Sequence, residues 1–309
     1  MPATRHLALL FLTTLVGAGC QSQEPPARSE LALSEGWTIH SSAELDAGGE
    51  ALSTPGFDTG GWHPATVPTT VVAALVADGT FPDPHYGMNM RDIPGVDYEV
   101  ATNFSNVEMS EDSPFRVPWW YRTEFVLPAE AEGKTTWLRF GGINFTANVW
   151  LNGTRIATAS DLAGSWRVHD LDVTRAAKPG EANALAVEVF APGSGDLALT
   201  FVDWNPMPPD KVMGLYRPVT VKTTGPVALR HPMVATSLNP PALDRAELTL
   251  RVFARNATAR PVTGSLDGTL GEASFSTEVS LAGGEEREIV LTPAEIPALV
   301  IEDPKLWWP

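Results

Sequence analysis

The sequence predicts an all-β protein made of two consecutive sandwiches, a jelly roll and then an incomplete immunoglobulin-like sandwich. Apolar and polar side chains alternate over Phe145–Leu151, the period of a strand half buried in a sheet. Asn152-Gly153 follows directly, and this dipeptide tolerates positive φ at both centres of a type I′ hairpin turn. The 26 Gly and 27 Pro show no period, as expected for many short strands joined by turns.

The first sandwich is predicted over residues 31–225. The strands Tyr121–Leu127 and Thr136–Phe140 precede the Phe145–Leu151 strand, and we expect all three in the middle of one antiparallel sheet. The chain is expected to return after the hairpin as a partner strand. That partner strand and the remaining strands are predicted at Arg155–Ala159, Trp37–Ser41, Trp166–Val173 and Leu185–Phe190.

A short helix interrupts these strands near the start of the domain. Thr69 or Thr70 is expected to cap the helix Val71–Val76, which stops at Gly79. One short helix among alternating strands and frequent turns is typical of a jelly-roll β-sandwich.

The second sandwich is predicted over residues 226–309, with Val221–Arg230 as the join. Side chains alternate inward from Ala246 to Arg255, and turn signals stand at residues 239–241 and 283–284. Strands spaced by roughly a dozen residues with such turns suit an immunoglobulin-like sandwich.

Charge and composition exclude several classes of function. The net charge is −16 without any basic cluster, so nucleic acid is not an expected partner. The six histidines lack the spacing of a zinc site, and neither a metal nor a cofactor is predicted. With one cysteine, the chain is expected to fold by burying its core.

The start of the chain predicts export. Arg5 precedes the apolar run Leu7–Val16, and three small residues then lead to Cys20. This resembles a bacterial lipoprotein signal over residues 1–20, followed by a polar linker over residues 21–30. Cys20 is therefore the expected lipidation site, which would tether the protein to the membrane of the bacterial cell envelope, in the periplasm or at the outer membrane. The alternative is an ordinary secretory signal and a secreted protein.

Five motifs stand in one order along the chain: Asp83–Asp92, Pro118–Phe125, Gly141–Gly153, Val202–Pro206 and Met213–Val219. Together they resemble the N-terminal sugar-binding domain of glycoside hydrolase family 2, within it the exo-β-glucosaminidase and β-mannosidase branch. The resemblance implies a galactose-binding-like jelly roll, then an immunoglobulin-like spacer, then a catalytic (β/α)₈ barrel.

The resemblance also implies three substrate-binding residues, Asp203, Trp204 and Asn89. Asp203 would accept hydrogen bonds from sugar hydroxyls, and Trp204 would wall or brace the same subsite. From the residues alone, a solvated turn acid and a loop-packing Trp explain the pair better than sugar binding does, and the resemblance reverses that preference. Six residues separate Asn205 from Val212, so the sequence does not fix where Asp203 points.

No catalytic residue is assigned. Retaining glycosidases need two carboxyl groups about 5 Å apart, and in this family both are glutamates of the barrel. The final motif, Pro304–Pro309, resembles a family signature that precedes the barrel. We therefore expect the inactive front of a retaining glycosidase whose substrate is an oligosaccharide, a β-glucosaminide first and a β-mannoside second. The alternatives are a stand-alone carbohydrate-binding lipoprotein and a β-sandwich scaffold without catalysis.

Overall fold

A computed structural model describes residues 30–96, 108–199, 206–271 and 273–307. Antiparallel strands dominate these residues, and helices are few and short. The predicted all-β class is confirmed. No helix in the described part of the chain combines the length and apolarity needed to cross a membrane.

The first group of sheets extends from β1 to β12. Its strands are β1 (Glu30–Ala32), β2 (Trp37–Ser41), β3 (His63–Ala65), β4 (Thr69–Thr70), β5 (Trp119–Val126), β6 (Thr135–Phe140), β7 (Thr146–Leu151), β8 (Thr154–Ala157), β9 (His169–Asp172), β10 (Ala182–Phe190), β11 (Gly214–Leu215) and β12 (Val219–Thr224). Its helices are α1 (Gly49–Leu52), α2 (Val71–Ala77) and the 3-10 helices Ser42–Glu44, Asn89–Asp92 and Ala129–Ala131.

Two larger sheets face each other in this group. A six-stranded sheet has the order β3-β2-β5-β10-β7-β8, and a four-stranded sheet has the order β1-β12-β6-β9. Tyr121 and Val149 of the first sheet share one buried cluster with Leu138, Phe140 and Val221 of the second. Burying each such side chain contributes about 1.5–3 kcal/mol, so this shared core holds the sandwich together.

The local predictions around the hairpin and the helix are confirmed. Asn152 and Gly153 have φ values of 51° and 80°, as a type I′ turn between β7 and β8 requires. The Thr70 hydroxyl accepts a hydrogen bond from the Ala73 N–H at 3.3 Å, which caps α2. Gly79 follows the helix at φ 86°.

The expectation that three successive strands share one sheet is wrong for β6. β6 lies in the four-stranded sheet, whereas β5 and β7 are both neighbours of β10 in the other sheet. The glycine pair after β6 permits this crossing, because a Cβ on Gly142 would lie 2.8 Å from the Tyr216 ring. A period of two shows which side chains are buried but not which sheet a strand joins.

The predicted strand Trp166–Val173 is too long at its start. The strand observed is β9, and Trp166 lies before it in a loop with 62% of its surface exposed. The Ser165 carbonyl accepts a hydrogen bond from the Tyr216 hydroxyl, which holds the loop just before Trp166.

The second group of sheets begins directly after β12. Its strands are β13 (Val227–Leu238), β14 (Arg245–Asn256), β15 (Val262–Leu270), β16 (Ala273–Leu281), β17 (Glu286–Leu291) and β18 (Val300–Glu302), with a 3-10 helix at Pro297–Leu299. β14 pairs with β13, β17 and β18, and β15 pairs with β16. A separate buried cluster of Val252, Leu266, Leu291 and Leu299 joins the two sheets into a second sandwich.

A cluster of charges around Trp137 of β6 connects the two sandwiches. The guanidinium carbons of Arg230 and Arg255 lie 5.7 and 5.2 Å from the Trp137 ring centroid. Asp170 and Asp172 of β9 neutralise them, with N–O distances of 3.4 Å to Arg230 and 3.8 Å to Arg255. The second sandwich therefore attaches to the first through cation–π and ionic contacts.

We expect Arg255→Ala to lower the free energy of unfolding by about 1 kcal/mol, since a guanidinium over a Trp face contributes roughly 0.5–2 kcal/mol. Arg251→Ala is the matched control on the same strand. Arg251 pairs with the exposed Glu288 at 3.1 Å, so its loss should cost no more than about 0.5 kcal/mol. Denaturant unfolding measures both, and equal losses would show that stacking on Trp137 contributes nothing.

Candidate functional site

A cavity of about 590 Å³ lies between α2, the loop of residues 83–90 and the segment of residues 206–212. Valines of α2, Met90 and three prolines of residues 206–209 form its apolar walls. Its polar lining residues are Thr70, Asp83, His85 and Asp210. The first sandwich thus presents one concave surface with apolar walls and a few convergent polar groups, the usual form of a small-molecule site.

Asp210 is the buried carboxylate of this cavity. Its two oxygens accept hydrogen bonds from the backbone N–H groups of Val72 and Val212, each at 2.9 Å. Asp210 thereby attaches the segment of residues 206–212 to the start of α2. Burial raises the pKa of Asp210 to about 6, against the lowering effect of these hydrogen bonds. Burial, followed by the charge of Asp210, also raises the pKa of the Tyr121 hydroxyl well above its usual value.

The next two residues are strained. Lys211 and Val212 have φ values of 49° and 60°, a region that non-glycine residues rarely adopt, and Val least of all because of its β-branch. Such strain persists where surrounding contacts impose it, and it concentrates at functional sites.

The Lys211 ammonium group is buried and has no hydrogen-bond partner among the described residues. Only 1% of the Lys211 side chain is exposed, and the Glu108 carboxylate lies 3.9 Å from its Nζ atom. A hydrogen bond from Ser194, and then the charge of Lys211, lower the pKa of the exposed Glu108. The fold therefore keeps a poorly compensated buried cation beside the cavity, an arrangement that is costly for stability.

Asp83 supplies a second acid at the exposed side of the cavity. Its Oδ1 atom accepts the backbone N–H of His85 at 2.9 Å and lies 3.1 Å from the imidazole Nδ1 atom. The backbone hydrogen bond, and then the side-chain one, lower the pKa of Asp83, which stays ionised at neutral pH. Asp83 and Asp210 are the acidic groups of the described lining, and their negative charge favours neutral or cationic ligands.

The arrangement gives no support for a metal site. The described residues contain no group of three or more His, Cys, Asp or Glu side chains placed to hold an ion. What the cavity can offer a ligand is hydrogen-bond acceptors, negative charge and apolar contact.

Comparison with known proteins relates this sandwich to one family. Residues 100–199 match the family described as the glycosyl hydrolase 2 galactose-binding domain-like family. Residues 100–199 therefore belong to the galactose-binding-like domain of glycosyl hydrolase family 2. The resemblance drawn from the ordered motifs of the sequence is therefore confirmed.

Exo-β-D-glucosaminidases are among the most similar relatives. The enzyme of Streptomyces avermitilis is 38% identical over 99% of this chain and 33% of its own length. The enzyme of Amycolatopsis orientalis is 36% identical over 89% of this chain and 24% of its own length. The crystal structure of the Amycolatopsis orientalis exo-chitosanase CsxA has a TM-score of 0.76 at 34% identity, covering 91% of this chain and 30% of that one. This chain thus spans at most about a third of these relatives.

The structure describes only one of the three residues predicted to bind sugar, Asn89. Asn89 begins the 3-10 helix Asn89–Asp92, where its backbone N–H donates to the Tyr86 carbonyl at 3.1 Å, and the adjacent Met90 lines the cavity. Asp203 and Trp204 lie outside the described residues, although the nearby Pro206 lines the cavity. The sugar-binding roles of Asn89, Asp203 and Trp204 stay predictions, as does lipidation of Cys20, which also lies outside the described residues.

Sequence reasoning missed the most unusual residues of the site, Asp210 and Lys211. One signal for them was present, because this charged dipeptide stands in an otherwise apolar, proline-rich segment of residues 206–213. The sequence does not show whether such a charged pair is exposed or buried. The fold shows that both residues are buried.

Asp210 should leave a recognisable signature in the pH dependence of stability. Its pKa is about 6 when folded and close to 3.8 when unfolded, so the folded state binds the extra proton between these values. The stability that the Asp210 carboxyl contributes is fully present below about pH 4 and is lost as the pH rises through about 6.

The measurement is the difference in unfolding free energy between wild type and Asp210→Asn across this range. The subtraction cancels the other carboxyl groups. We expect wild type to lose stability relative to the variant as pH rises, with a slope of up to about 1.4 kcal/mol per pH unit. A difference that grows in favour of wild type instead would show a lowered pKa.

Lys211→Met should leave the folded state as stable as wild type or stabilise it by about 1–4 kcal/mol, because Met fills similar space without a buried charge. Lys134→Met, at an exposed position, is the control and should change stability by less than about 0.5 kcal/mol. Thermal unfolding compares them. A loss of about 2 kcal/mol in Lys211→Met would mean that the contact with Glu108 more than repays burial of the ammonium.

Proposed function

We propose that this chain is the substrate-site-shaping and scaffolding part of an exported β-glycosidase. Its first substrate class is β-D-glucosaminides and its second is β-D-mannosides. The whole protein hydrolyses the glycosidic bond with two carboxyl groups about 5 Å apart, outside this chain, in a retaining mechanism. The chain itself contributes no catalytic residue.

The observation that carries the proposal is the alignment of almost the whole chain with one named enzyme. The chain is 38% identical to the exo-β-D-glucosaminidase of Streptomyces avermitilis over 99% of its length, which includes both sandwiches. A match along both sandwiches supports a common architecture better than a match to one sugar-binding module would.

The chemistry of the cavity supports an amino sugar. Asp83 is ionised at its exposed side, Asp210 lies within it, and neither Lys nor Arg is among its described lining residues. A protonated glucosamine unit carries a positive charge that such a surface attracts. The valine and proline walls can contact the apolar C–H face of a sugar ring, and Asp203 and Trp204 are proposed to complete the contacts.

We further propose export with lipidation at Cys20, which would hold the enzyme at the cell envelope near oligosaccharide substrates. A short apolar segment ending in small residues and a cysteine supports this. Activity should then sediment with membranes and become soluble in Cys20→Ala. Wild-type activity that is already soluble would favour an ordinary secretory signal.

The test of the activity uses the protein encoded by the complete reading frame. We expect it to hydrolyse 4-nitrophenyl β-D-glucosaminide with a higher kcat/KM than the β-D-mannoside. The isolated 309-residue chain should show no turnover above background on either substrate.

The other outcomes decide between the alternatives. A preference for the mannoside would exchange the order of the two substrate classes. Turnover by the isolated chain would overturn its non-catalytic role. A reading frame that stops after residue 309 and a protein that only binds chito-oligosaccharides would support a stand-alone carbohydrate-binding protein.

A further inference from the structure

We propose that Asn144 is the positioning residue of the cavity, acting through the main chain of the segment that forms one wall. Two experiments below test this proposal, and only the kinetic one depends on the proposed function. Asn144 lies between β6 and β7, and its side chain is fully buried. No sugar contact is attributed to it.

The Asn144 side-chain amide holds two separate segments. Its nitrogen donates to the Leu199 carbonyl at 2.7 Å and to the carbonyls of Lys211 and Val212, each at 3.0 Å. Its oxygen accepts the Leu199 N–H at 3.3 Å and the Ser165 hydroxyl. The Asn144 amide therefore fixes residue 199 before, and residues 211 and 212 at the end of, the stretch of chain that contains Asp203, Trp204 and one cavity wall.

The backbone of Asn144 is itself fixed from the other side. Its N–H donates to the Gly214 carbonyl at 2.9 Å, and the Gly214 N–H donates to the Asn144 carbonyl at 2.8 Å. Gly214 has φ 154°, and a Cβ there would lie 2.6 Å from the Thr69 carbonyl oxygen and from the Tyr121 hydroxyl. Only glycine permits this close approach, so the amide is held against rigid β-structure.

The strained residues explain why this anchor matters. Lys211 and Val212 hold positive φ values at the two carbonyls that the Asn144 amide binds. Without these bonds the two residues would relax towards ordinary φ values. That movement would displace Asp210 and Val212, which line the cavity, and release Asp210 from the N–H groups it caps.

The chemistry of the side chain is specific. An amide combines two N–H donors and an acceptor oxygen in one plane, and the site uses both functions. Asn144→Asp keeps the acceptor oxygen but replaces the two N–H donors with a second oxygen, which faces the three carbonyls. Ala leaves those carbonyls buried and unsatisfied. Both changes should release the wall, and Asp at least as strongly as Ala.

Asn256 offers a matched control in the second sandwich. It is also fully buried, and its amide nitrogen donates to the carbonyls of Arg260 and Ala282 at 2.7 and 2.9 Å. Its oxygen accepts the Thr258 N–H at 2.9 Å. Asn256→Ala therefore removes the same kind of anchor from loops that are not part of the cavity.

The first experiment measures backbone hydrogen exchange on this chain, resolved by peptide. Asn144→Ala and Asn144→Asp should accelerate exchange at residue 199 and residues 211–213 by at least about tenfold. Exchange in residues 257–260 and 282–285 should stay unchanged. Asn256→Ala should show the reverse pattern. Unchanged exchange at residues 199 and 211–213 in folded Asn144→Ala would overturn the proposal.

Ser165→Ala covers the case in which the Asn144 variants fail to fold. It removes the hydroxyl that donates to the Asn144 oxygen, and this hydroxyl also accepts the Leu199 N–H directly at 3.3 Å. The diagnostic residues are therefore 211–213, where exchange should accelerate by a smaller factor, about threefold. Folded Ser165→Ala with wild-type exchange there would count against the proposal. Thermal unfolding of every variant establishes that the comparison is made on folded protein.

The second experiment measures kinetics in the complete enzyme, at a temperature where all variants are folded. Asn144→Ala should lower kcat/KM by about 10- to 100-fold, whereas Asn256→Ala should stay within about twofold of wild type. Equal kcat/KM losses in the two variants would make Asn144 merely structural. A wild-type enzyme without β-glycosidase activity would refute the proposed function, while hydrogen exchange would still decide the role of Asn144.

Discussion

Backbone polar groups that are buried outside a sheet must still find hydrogen-bond partners, and this constraint shapes the first sandwich. Residues 206–213 pass beside α2 without forming a strand, and several of them are buried. The Asn144 amide satisfies carbonyls of this segment, and the Asp210 carboxylate satisfies N–H groups of both the segment and α2. Two polar side chains thus replace the missing ladder, and they determine where one wall of the cavity lies.

The same segment carries several features that destabilise the folded state. Strained φ values cost on the order of 1–3 kcal/mol each. Within the described part of the chain, the buried Lys211 ammonium has no hydrogen-bond partner to offset its desolvation. Asp210 adds a carboxyl group whose charged form is disfavoured by burial. Stability alone would favour none of these features. Their concentration beside one cavity is therefore an argument for function that does not depend on the relatives.

Local sequence signals predicted those parts of the fold that local geometry controls. The alternation before Asn152-Gly153, the turn itself and the Thr70 cap each follow from the conformation of a few consecutive residues. The sheet to which β6 belongs does not, because side-chain periodicity defines a face and leaves the partner strand open. The site was harder still to predict, since Asn144 meets Leu199 and Lys211 across 55 and 67 residues of sequence. The sequence motifs indicated this part of the chain, and hydrogen bonds between residues distant in sequence show how Asn144 and Asp210 hold it.

The second sandwich contributes to the site indirectly. All described lining residues of the cavity precede residue 213, so they belong to the first sandwich. The contacts between sandwiches lie instead around Trp137, near the start of β6, whereas Asn144 follows the end of the same strand. One strand of a four-stranded sheet therefore separates the interface from the anchor. Among the described residues, that interface contains Arg–Asp pairs on Trp137, and the apolar cores of the two sandwiches are separate clusters. Because salt screens ionic contacts, added salt should loosen the second sandwich from the first before it disturbs the cavity.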